Sequence, residues 1–178
     1  NYLLGNQPPT FDVLYWNADT TRLPARLHAD FLDLIFTNLF LNPGKMSIHG
    51  VPIDMRKVKH EAYVIGGTTD HITPWKAVYQ TARIFGDKTQ FILSNSGHLQ
   101  SLLNPPGNPK AWYVKGTANK KDADAWAAGA EKKEGSWWLD WAEYLKSRSG
   151  DEVDAPKAPG NKTYKPLGPA PGTYVFEP

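Results

Sequence analysis

The sequence has no cysteine among its 178 residues. This absence excludes disulfide bonds and thiolate metal sites, and it leaves the chain without a cysteine nucleophile of its own. The sequence also lacks an apolar run of the ~20 residues that a membrane-spanning helix needs. The nearest candidate, Phe31 to Leu41, is short and contains Asp33, Thr37 and Asn38. We therefore expect neither a disulfide-stabilised fold nor a membrane span.

A dense run of basic charge is also missing. The 20 Lys and Arg residues are scattered among 18 Asp and Glu residues, which gives a formal net charge of +2. Surfaces that bind nucleic acid concentrate basic residues, so this distribution argues against nucleic acid as the main partner. Apolar residues, in contrast, are plentiful: 40% of the residues are hydrophobic and 12% are aromatic, which is enough for a packed core.

Three short apolar segments predict β-strands. They are Thr10 to Trp16, Glu61 to Gly66 and Thr89 to Leu93. A helix is predicted between the last two strands, with Thr73 as its N-cap and Pro74 at its first position. A strand, a helix and a strand in direct succession form a βαβ unit, so these two strands should be parallel.

Three further helices are predicted outside this unit. Leu23 to Leu41 has a wide apolar face, Lys120 to Lys133 is rich in alanine and charge, and Ser136 precedes a third helical pattern. We interpret the tryptophans of this third helix as core packing; they are Trp137, Trp138 and Trp141. From Gly150 onward, the abundance of proline, glycine and lysine predicts a surface tail.

Two polar side chains follow the ends of the two predicted parallel strands, and they are Asp70 and His98. Functional residues of open α/β sheets gather at the carboxyl ends of strands, and adjacent strands lie about 4.8 Å apart. Asp70 can then accept the Nδ1 proton of His98, which leaves Nε2 to take a proton from a nucleophile. Gly97 is predicted to give the turn before His98 its backbone freedom.

The order of these residues fits two members of a catalytic triad. In α/β-hydrolases the nucleophile precedes the acid, and the acid precedes the base. Asp70 and His98 have the order of acid and base, but no Gly-x-Ser-x-Gly sequence occurs in the chain. A lone Asp after a strand is commonly a turn residue or helix cap, and a lone Ser-Gly-His loop commonly serves packing. Their joint occurrence at matching strand ends favours the catalytic interpretation.

Four longer segments carry a family resemblance. They are VLYWNADTTRLP at Val13 to Pro24, GGTTDHITPW at Gly66 to Trp75, SNSGHLQSLLNPPGNPK at Ser94 to Lys110, and APGTYV at Ala170 to Val175. With these segments the sequence resembles the C-terminal part of the catalytic domain of the polyhydroxyalkanoate synthases, in particular the class II enzymes that favour medium-chain-length monomers. Three of the motifs are long and stand in the same order as in the family, so the resemblance is specific.

The resemblance implies an α/β fold, namely the C-terminal part of an α/β-hydrolase fold with about three parallel strands plus helices and part of a cap subdomain. Residues 1–22 would form a core strand and the entry to the cap, and residues 23–60 the cap or lid. Residues 61–149 would form the C-terminal half of the core, and residues 150–178 a tail rich in proline and glycine.

The resemblance also assigns roles to single residues. The family's catalytic acid falls on Asp70 and its catalytic base on His98, and no cofactor or metal is implied. The family's nucleophile is a cysteine in a G-x-C-x-G sequence, which would lie upstream of Asn1. We therefore expect the chain to be a fragment that is inactive alone and an acyltransferase at full length.

The implied reaction transfers (R)-3-hydroxyacyl groups from CoA thioesters to a growing polyester. The implied partners are this CoA substrate and the polyester chain, and the full-length enzyme is expected as a homodimer in the cytoplasm, at the surface of storage granules. Whether the His or the Asp deprotonates the attacking chain hydroxyl stays open. Two other functions also stay open: a related hydrolase, such as a polyester depolymerase or thioesterase, and a non-catalytic module that binds granules or a partner subunit.

Several other residues have both a functional and a structural interpretation. His71 either tunes the site beside Asp70 or points away from it. Lys110 either meets the CoA phosphates or is a solvated surface lysine. Trp16 and Asp19 belong to one of the family motifs, where a role at the junction of core and cap is expected. We favour the structural interpretation for all of these residues.

Overall fold

A computed structural model of the chain describes residues 20–170 together with residues 16, 18, 172 and 173. The chain divides into two compact units, residues 1–137 and 138–178. Most of the predicted strand at Thr10 to Trp16 lies outside the described residues, as does Asp19. The last residue of that segment, Trp16, is helical and 73% exposed, so the predicted buried strand is wrong at this residue.

Between residue 20 and the main sheet, the described residues form a helix and a small hairpin. Helix α1 spans Ala25–Thr37 and ends where Asn38 takes a left-handed backbone conformation, with φ at 46°. The predicted helix over Leu23 to Leu41 is therefore shorter than expected at its end. The hairpin consists of Ser47–Ile48 (β1) and Val51–Pro52 (β2), which pair in antiparallel orientation. One 3-10 turn precedes it at Leu39–Leu41, and another follows it at Met55–Lys57.

Among the described residues, the main sheet has four strands, which are Ala62–Gly67 (β3), Thr89–Ser94 (β4), Trp112–Thr117 (β5) and Glu131–Glu134 (β6). They lie in the order β3-β4-β5-β6. Strands β3 and β4 are parallel, and their last residues, Gly67 and Ser94, stand opposite each other. Strands β5 and β6 each pair antiparallel to the preceding strand. The loops after β3 and β4 therefore begin at the same level of the sheet.

Helix α2, Trp75–Phe85, joins β3 to β4 and confirms the predicted βαβ unit. The helix ends at Gly86, whose φ of 82° suits glycine. The N-cap position is held by Pro74, without a side-chain hydrogen bond to the helix. The prediction of Thr73 as the N-cap is therefore wrong, because its hydroxyl is bound to Asp70 instead.

The second half of the sheet differs from the prediction. Of the about three strands expected to be parallel, two are the pair β3 and β4, and most of the third lies outside the described residues. Strands β5 and β6 extend the sheet in antiparallel orientation, and no strand was predicted at β5. The predicted helix over Lys120 to Lys133 is shorter and spans only Ala123–Gly129, here named α3. The residues that were predicted to form the last turn of this helix belong to strand β6 instead, because they pair with β5 along the sheet.

Three aromatic side chains from different elements form the centre of the core. The rings of Tyr79, Phe91 and Trp126 pack with centroid distances of 5.0 to 5.3 Å. Both polar groups in this cluster are satisfied: the Tyr79 hydroxyl donates to the Lys120 carbonyl at 2.9 Å, and the Trp126 indole N–H donates to the Thr117 carbonyl at 2.9 Å. The cluster joins α2, β4 and α3, so it holds the βαβ unit in place.

Helix α4 spans Trp137–Lys146. The prediction of core packing holds for Trp137, which is 5% exposed, but is wrong for Trp141, which is 40% exposed. Residues 147–170 are exposed and contain no helix or strand. Among the helices in the described part of the chain, none combines the length and apolar character needed to cross a membrane.

Candidate active site

The structure brings Asp70 and His98 into direct contact. Asp70 lies in the loop after β3 and His98 in the loop after β4, at the carboxyl ends of the parallel pair. The Nδ1 atom of His98 lies 2.9 Å from Oδ2 of Asp70. An ionised carboxylate only accepts hydrogen bonds, so Nδ1 carries the proton and the neutral ring has Nε2 as its acceptor.

The Asp70 carboxylate accepts three further hydrogen bonds from its own loop. Its Oδ1 accepts from the backbone N–H groups of Ile72 and Thr73, both at 2.9 Å. Its Oδ2 accepts from the Thr73 hydroxyl at 2.8 Å, in addition to the bond from His98. The Asp70 side chain is only 5% exposed. Both oxygens are thus occupied, and the carboxylate is held in one orientation.

This environment keeps Asp70 ionised. Burial of the carboxylate acts to raise its pKa, but the hydrogen bonds from Thr73, His98 and Ile72 outweigh burial and hold that pKa well below its usual range. Asp70 therefore carries a negative charge at neutral pH. A fixed negative charge at Nδ1 orients the imidazole ring and stabilises the imidazolium that forms when Nε2 takes a proton.

Backbone contacts join the two loops that carry the pair. The Thr68 N–H donates to the Ser94 carbonyl at 2.9 Å, and the Thr69 N–H donates to the Ser96 carbonyl at 3.2 Å. The loops also approach closely at Gly67, where a β-carbon would lie 2.7 Å from Ser101 Oγ and 2.9 Å from the Ser96 carbonyl oxygen. The glycine at this position is therefore needed for space.

The turn before His98 takes its unusual conformation at Ser96. Ser96 has a φ of 85°, in the left-handed region that glycine adopts most readily. Gly97 lies outside that region, and a β-carbon there would meet only Thr69 atoms at ordinary contact distances of 3.7 and 3.8 Å. The prediction that Gly97 provides the backbone freedom of this turn is therefore wrong, and Ser96 has that role.

Residues after His98 form a buried polar support that the sequence did not reveal. A helical turn follows His98, in which the Ser101 N–H donates to the Gly97 carbonyl at 2.9 Å. The indole N–H of Trp137 donates to the Ser101 carbonyl at 2.8 Å, and the Ser136 hydroxyl donates to the Asn104 carbonyl. Small polar residues inside an apolar segment, such as those of SLLNPP, are the signal that could have identified this support.

A second support fixes the start of the same loop. The side-chain amide of Asn95 donates to the Lys110 carbonyl at 2.9 Å, and its oxygen accepts from the Trp112 N–H at 3.0 Å. Asn95 thereby attaches the His98 loop to the residues that lead into β5.

Within the described chain, the other candidate side chains make no hydrogen bond to Asp70 or His98. His71 is exposed, and among the described residues it makes no hydrogen bond or ion pair. The Lys110 side chain is exposed as well, and the contact with Asn95 uses only its backbone carbonyl. Nε2 of His98 has no hydrogen-bond partner within the described chain, and the His98 side chain is 36% exposed. The arrangement can therefore take a proton from a group that approaches Nε2.

A metal centre is not found in the part of the chain that the structure describes. No group of three or more His, Cys, Asp or Glu side chains there is placed to hold a metal ion.

Comparison with known proteins gives three informative relatives. The chain is 52% identical over 177 residues to poly(3-hydroxyalkanoate) polymerase 2 of Ectopseudomonas oleovorans and 49% identical over 177 residues to polymerase 1 of the same organism. It is 38% identical over 176 residues to the poly(3-hydroxyalkanoate) polymerase subunit PhaC of Cupriavidus necator. These alignments cover 98–99% of the chain but only 30–32% of the relatives. The chain thus spans about a third of the length of these relatives.

A family model described as the alpha/beta hydrolase fold matches residues 1–105, which include both loops of the pair. The match agrees with the parallel strands, the connecting helix and the placement of Asp70 and His98 at the strand ends. The chain therefore belongs to the α/β-hydrolase fold family.

Proposed function

We propose that the chain supplies the acid and the base of a poly(3-hydroxyalkanoate) polymerase. The observation that carries the proposal is the hydrogen bond of 2.9 Å between His98 and Asp70, at the ends of adjacent parallel strands in an α/β-hydrolase fold. The reaction is taken from the names of the relatives. They align with almost the whole chain and are named poly(3-hydroxyalkanoate) polymerases. The nucleophile in this proposal is a cysteine from outside these 178 residues, because the chain has none.

The first half of the proposed reaction loads the acyl group. Nε2 of His98 takes the proton of the cysteine thiol, and Asp70 stabilises the resulting imidazolium. The thiolate attacks the thioester carbonyl of an (R)-3-hydroxyacyl-CoA and forms a bond to its carbon. The bond between that carbon and the CoA sulfur breaks, and the leaving CoA thiolate takes the proton from His98. The acyl group is then held as a thioester of the enzyme.

The second half extends the polyester. The 3-hydroxyl of the growing chain, or of another monomer, loses its proton and attacks the enzyme thioester. An ester bond forms, and the cysteine leaves as a thiolate. We assign this deprotonation to His98, because both oxygens of Asp70 already accept hydrogen bonds and its side chain is 5% exposed. The lowered pKa of Asp70 also makes it a weak base.

The same proposal includes the setting of the full-length enzyme. Its substrates would be the CoA thioester and the polyester chain, and it would act as a homodimer in the cytoplasm, at the surface of polyester granules. The apolar residues that α1 exposes, among them Ile35 and Phe36 at 68% and 80%, support contact with an apolar surface.

The proposal is tested by substitutions in the full-length protein, expressed with its upstream coding sequence. His98→Gln and Asp70→Asn should each lower the rate of CoA release from a medium-chain (R)-3-hydroxyacyl-CoA by about 10³-fold or more, since single members of a triad contribute factors of this size. His71→Gln is the matched control, because this exposed neighbour of Asp70 makes no recorded bond and should keep the wild-type rate. Near-wild-type turnover in either member of the pair would refute the proposal.

The identity of the nucleophile separates the polymerase from the alternative hydrolase. A G-x-C-x-G sequence upstream of Asn1 would support the polymerase, whereas G-x-S-x-G would indicate a depolymerase or another hydrolase. Sequencing of the upstream coding region decides between them.

A further inference from the structure

We infer that Thr73 is a positioning residue for the acid of the pair, an inference that rests on the proposed function. Thr73 binds both oxygens of the Asp70 carboxylate: its N–H donates to Oδ1 at 2.9 Å, and its hydroxyl donates to Oδ2 at 2.8 Å. Oδ2 is also the oxygen that faces Nδ1 of His98, at 2.9 Å. The Thr73 hydroxyl and the imidazole of His98 thus share one acceptor atom.

These hydrogen bonds restrict the rotation of the Asp70 carboxylate. The terminal torsion of an aspartate side chain has a broad minimum, so the side chain alone does not fix where its oxygens point. The backbone N–H groups of Ile72 and Thr73 hold Oδ1, and the Thr73 hydroxyl is the second donor that holds Oδ2 in line with His98. Loss of the hydroxyl leaves His98 as the only recorded donor to Oδ2 among the described residues.

A role in capping the helix does not account for this hydroxyl. The N-cap position of α2 belongs to Pro74, which makes no side-chain hydrogen bond to the helix. Within the described chain, the Thr73 hydroxyl makes its one hydrogen bond to Asp70. The role of this hydroxyl is therefore to hold the Asp70 carboxylate.

Thr73→Val in the full-length protein removes the hydroxyl but keeps the backbone N–H and the branched shape. We expect kcat for CoA release from a medium-chain (R)-3-hydroxyacyl-CoA to fall about tenfold, which corresponds to about 1.4 kcal/mol in activation free energy. KM should stay unchanged, because the hydroxyl that is lost is bound to the Asp70 carboxylate. Thr73→Ser restores the hydroxyl and should restore kcat, a rescue that a purely structural role of the methyl group would not give.

Thr81→Val is the matched control, since it removes an exposed threonine hydroxyl on helix α2, away from the pair, that makes no hydrogen bond within the described residues. It should keep the wild-type kcat. Thr73→Ala provides a second variant without the hydroxyl in case the valine variant folds poorly, as checked by circular dichroism. Wild-type kcat in a folded Thr73→Val or Thr73→Ala variant overturns the inference.

His98→Gln and Asp70→Asn are measured in the same assay, so that failure of the inference about Thr73 can be distinguished from failure of the proposed function. Loss of activity in both, combined with wild-type kcat after loss of the Thr73 hydroxyl, overturns the inference and leaves the proposed function standing. Activity retained in His98→Gln or Asp70→Asn overturns the proposed function itself.

Discussion

The backbone of Ser96 carries the strain of the loop that leads to His98. Its φ of 85° lies in a region that costs a residue with a β-carbon about 1–2 kcal/mol. The hydrogen bond from the Thr69 N–H to the Ser96 carbonyl holds this conformation from the neighbouring loop. Strain of this kind persists where the surrounding structure fixes it, and it is concentrated at functional sites.

Ser96→Gly should therefore increase the free energy of unfolding. Glycine relieves the strain but loses about 0.5–1 kcal/mol through its greater freedom in the unfolded chain, so we expect a net gain of up to about 1.5 kcal/mol. Ser96→Ala is the control, because it keeps the β-carbon and should show no such gain. Urea unfolding followed by circular dichroism measures both variants. A lower unfolding free energy for the glycine variant than for the alanine variant would contradict the assignment of strain.

The sequence allowed the partners of the candidate site to be predicted but not the backbone detail between them. Asp70 and His98 could be placed because each directly follows an apolar strand, and parallel strands bring their carboxyl ends together. Gly97 was the natural choice for the special turn residue, yet Ser96 takes the left-handed conformation. The hydrogen bond from Thr69 to Ser96 joins two loops that are distant in sequence, so no local sequence pattern predicts it.

At the scale of elements, the βαβ unit could be predicted and the antiparallel half of the sheet could not. The unit has strong local signals, namely buried apolar strands and a helix with aromatic residues at helical spacing. Strand β6 has the sequence EKKE, which shows little intrinsic preference for a strand, and it forms because β5 offers it an edge to pair with. Charged residues also protect this outer strand from pairing with another chain.

Gly67→Ala should disturb the contact between the two loops of the site. The new β-carbon would lie 2.7 Å from Ser101 Oγ, 2.8 Å from Ser101 Cβ and 2.9 Å from the Ser96 carbonyl oxygen, so the His98 loop must shift. We expect the free energy of unfolding to fall by about 1–3 kcal/mol, as for other overpacked sites. Gly97→Ala is the matched control, since its β-carbon would make only ordinary contacts at 3.7 Å and beyond. Equal stability of the two variants in urea unfolding would show that the approach is looser than described.

For the molecule as a whole, α1 presents an unusual surface. Within the described part of the chain, no residue of this helix is buried. Five of its large apolar side chains are exposed by 41–80%; they are Leu27, Phe31, Leu32, Ile35 and Phe36. An apolar patch of contiguous residues on a helix favours contact with another apolar surface, whereas a single exposed apolar residue is ordinary.

We therefore expect the 178-residue chain by itself to self-associate through α1. Replacing Ile35 and Phe36 together by lysine should lower its apparent mass in sedimentation velocity towards that of a monomer, because the patch loses its two most exposed members. Leu167→Lys is the control, since this fully exposed leucine stands in the tail, outside the patch, and its replacement should leave the association unchanged. A monodisperse monomer for the unaltered chain would contradict this prediction.

Strands β3 and β4 end at the same level of the sheet, and this has a consequence for recombination between homologous proteins. Asp70 and His98 come from one continuous stretch of chain, which runs from β3 through α2 to the loop after β4. Their mutual geometry is inherited with that stretch, which carries Asp70, Thr73 and His98 together. Exchange of this stretch between homologous proteins would therefore change the surroundings of the pair and leave the pair itself intact.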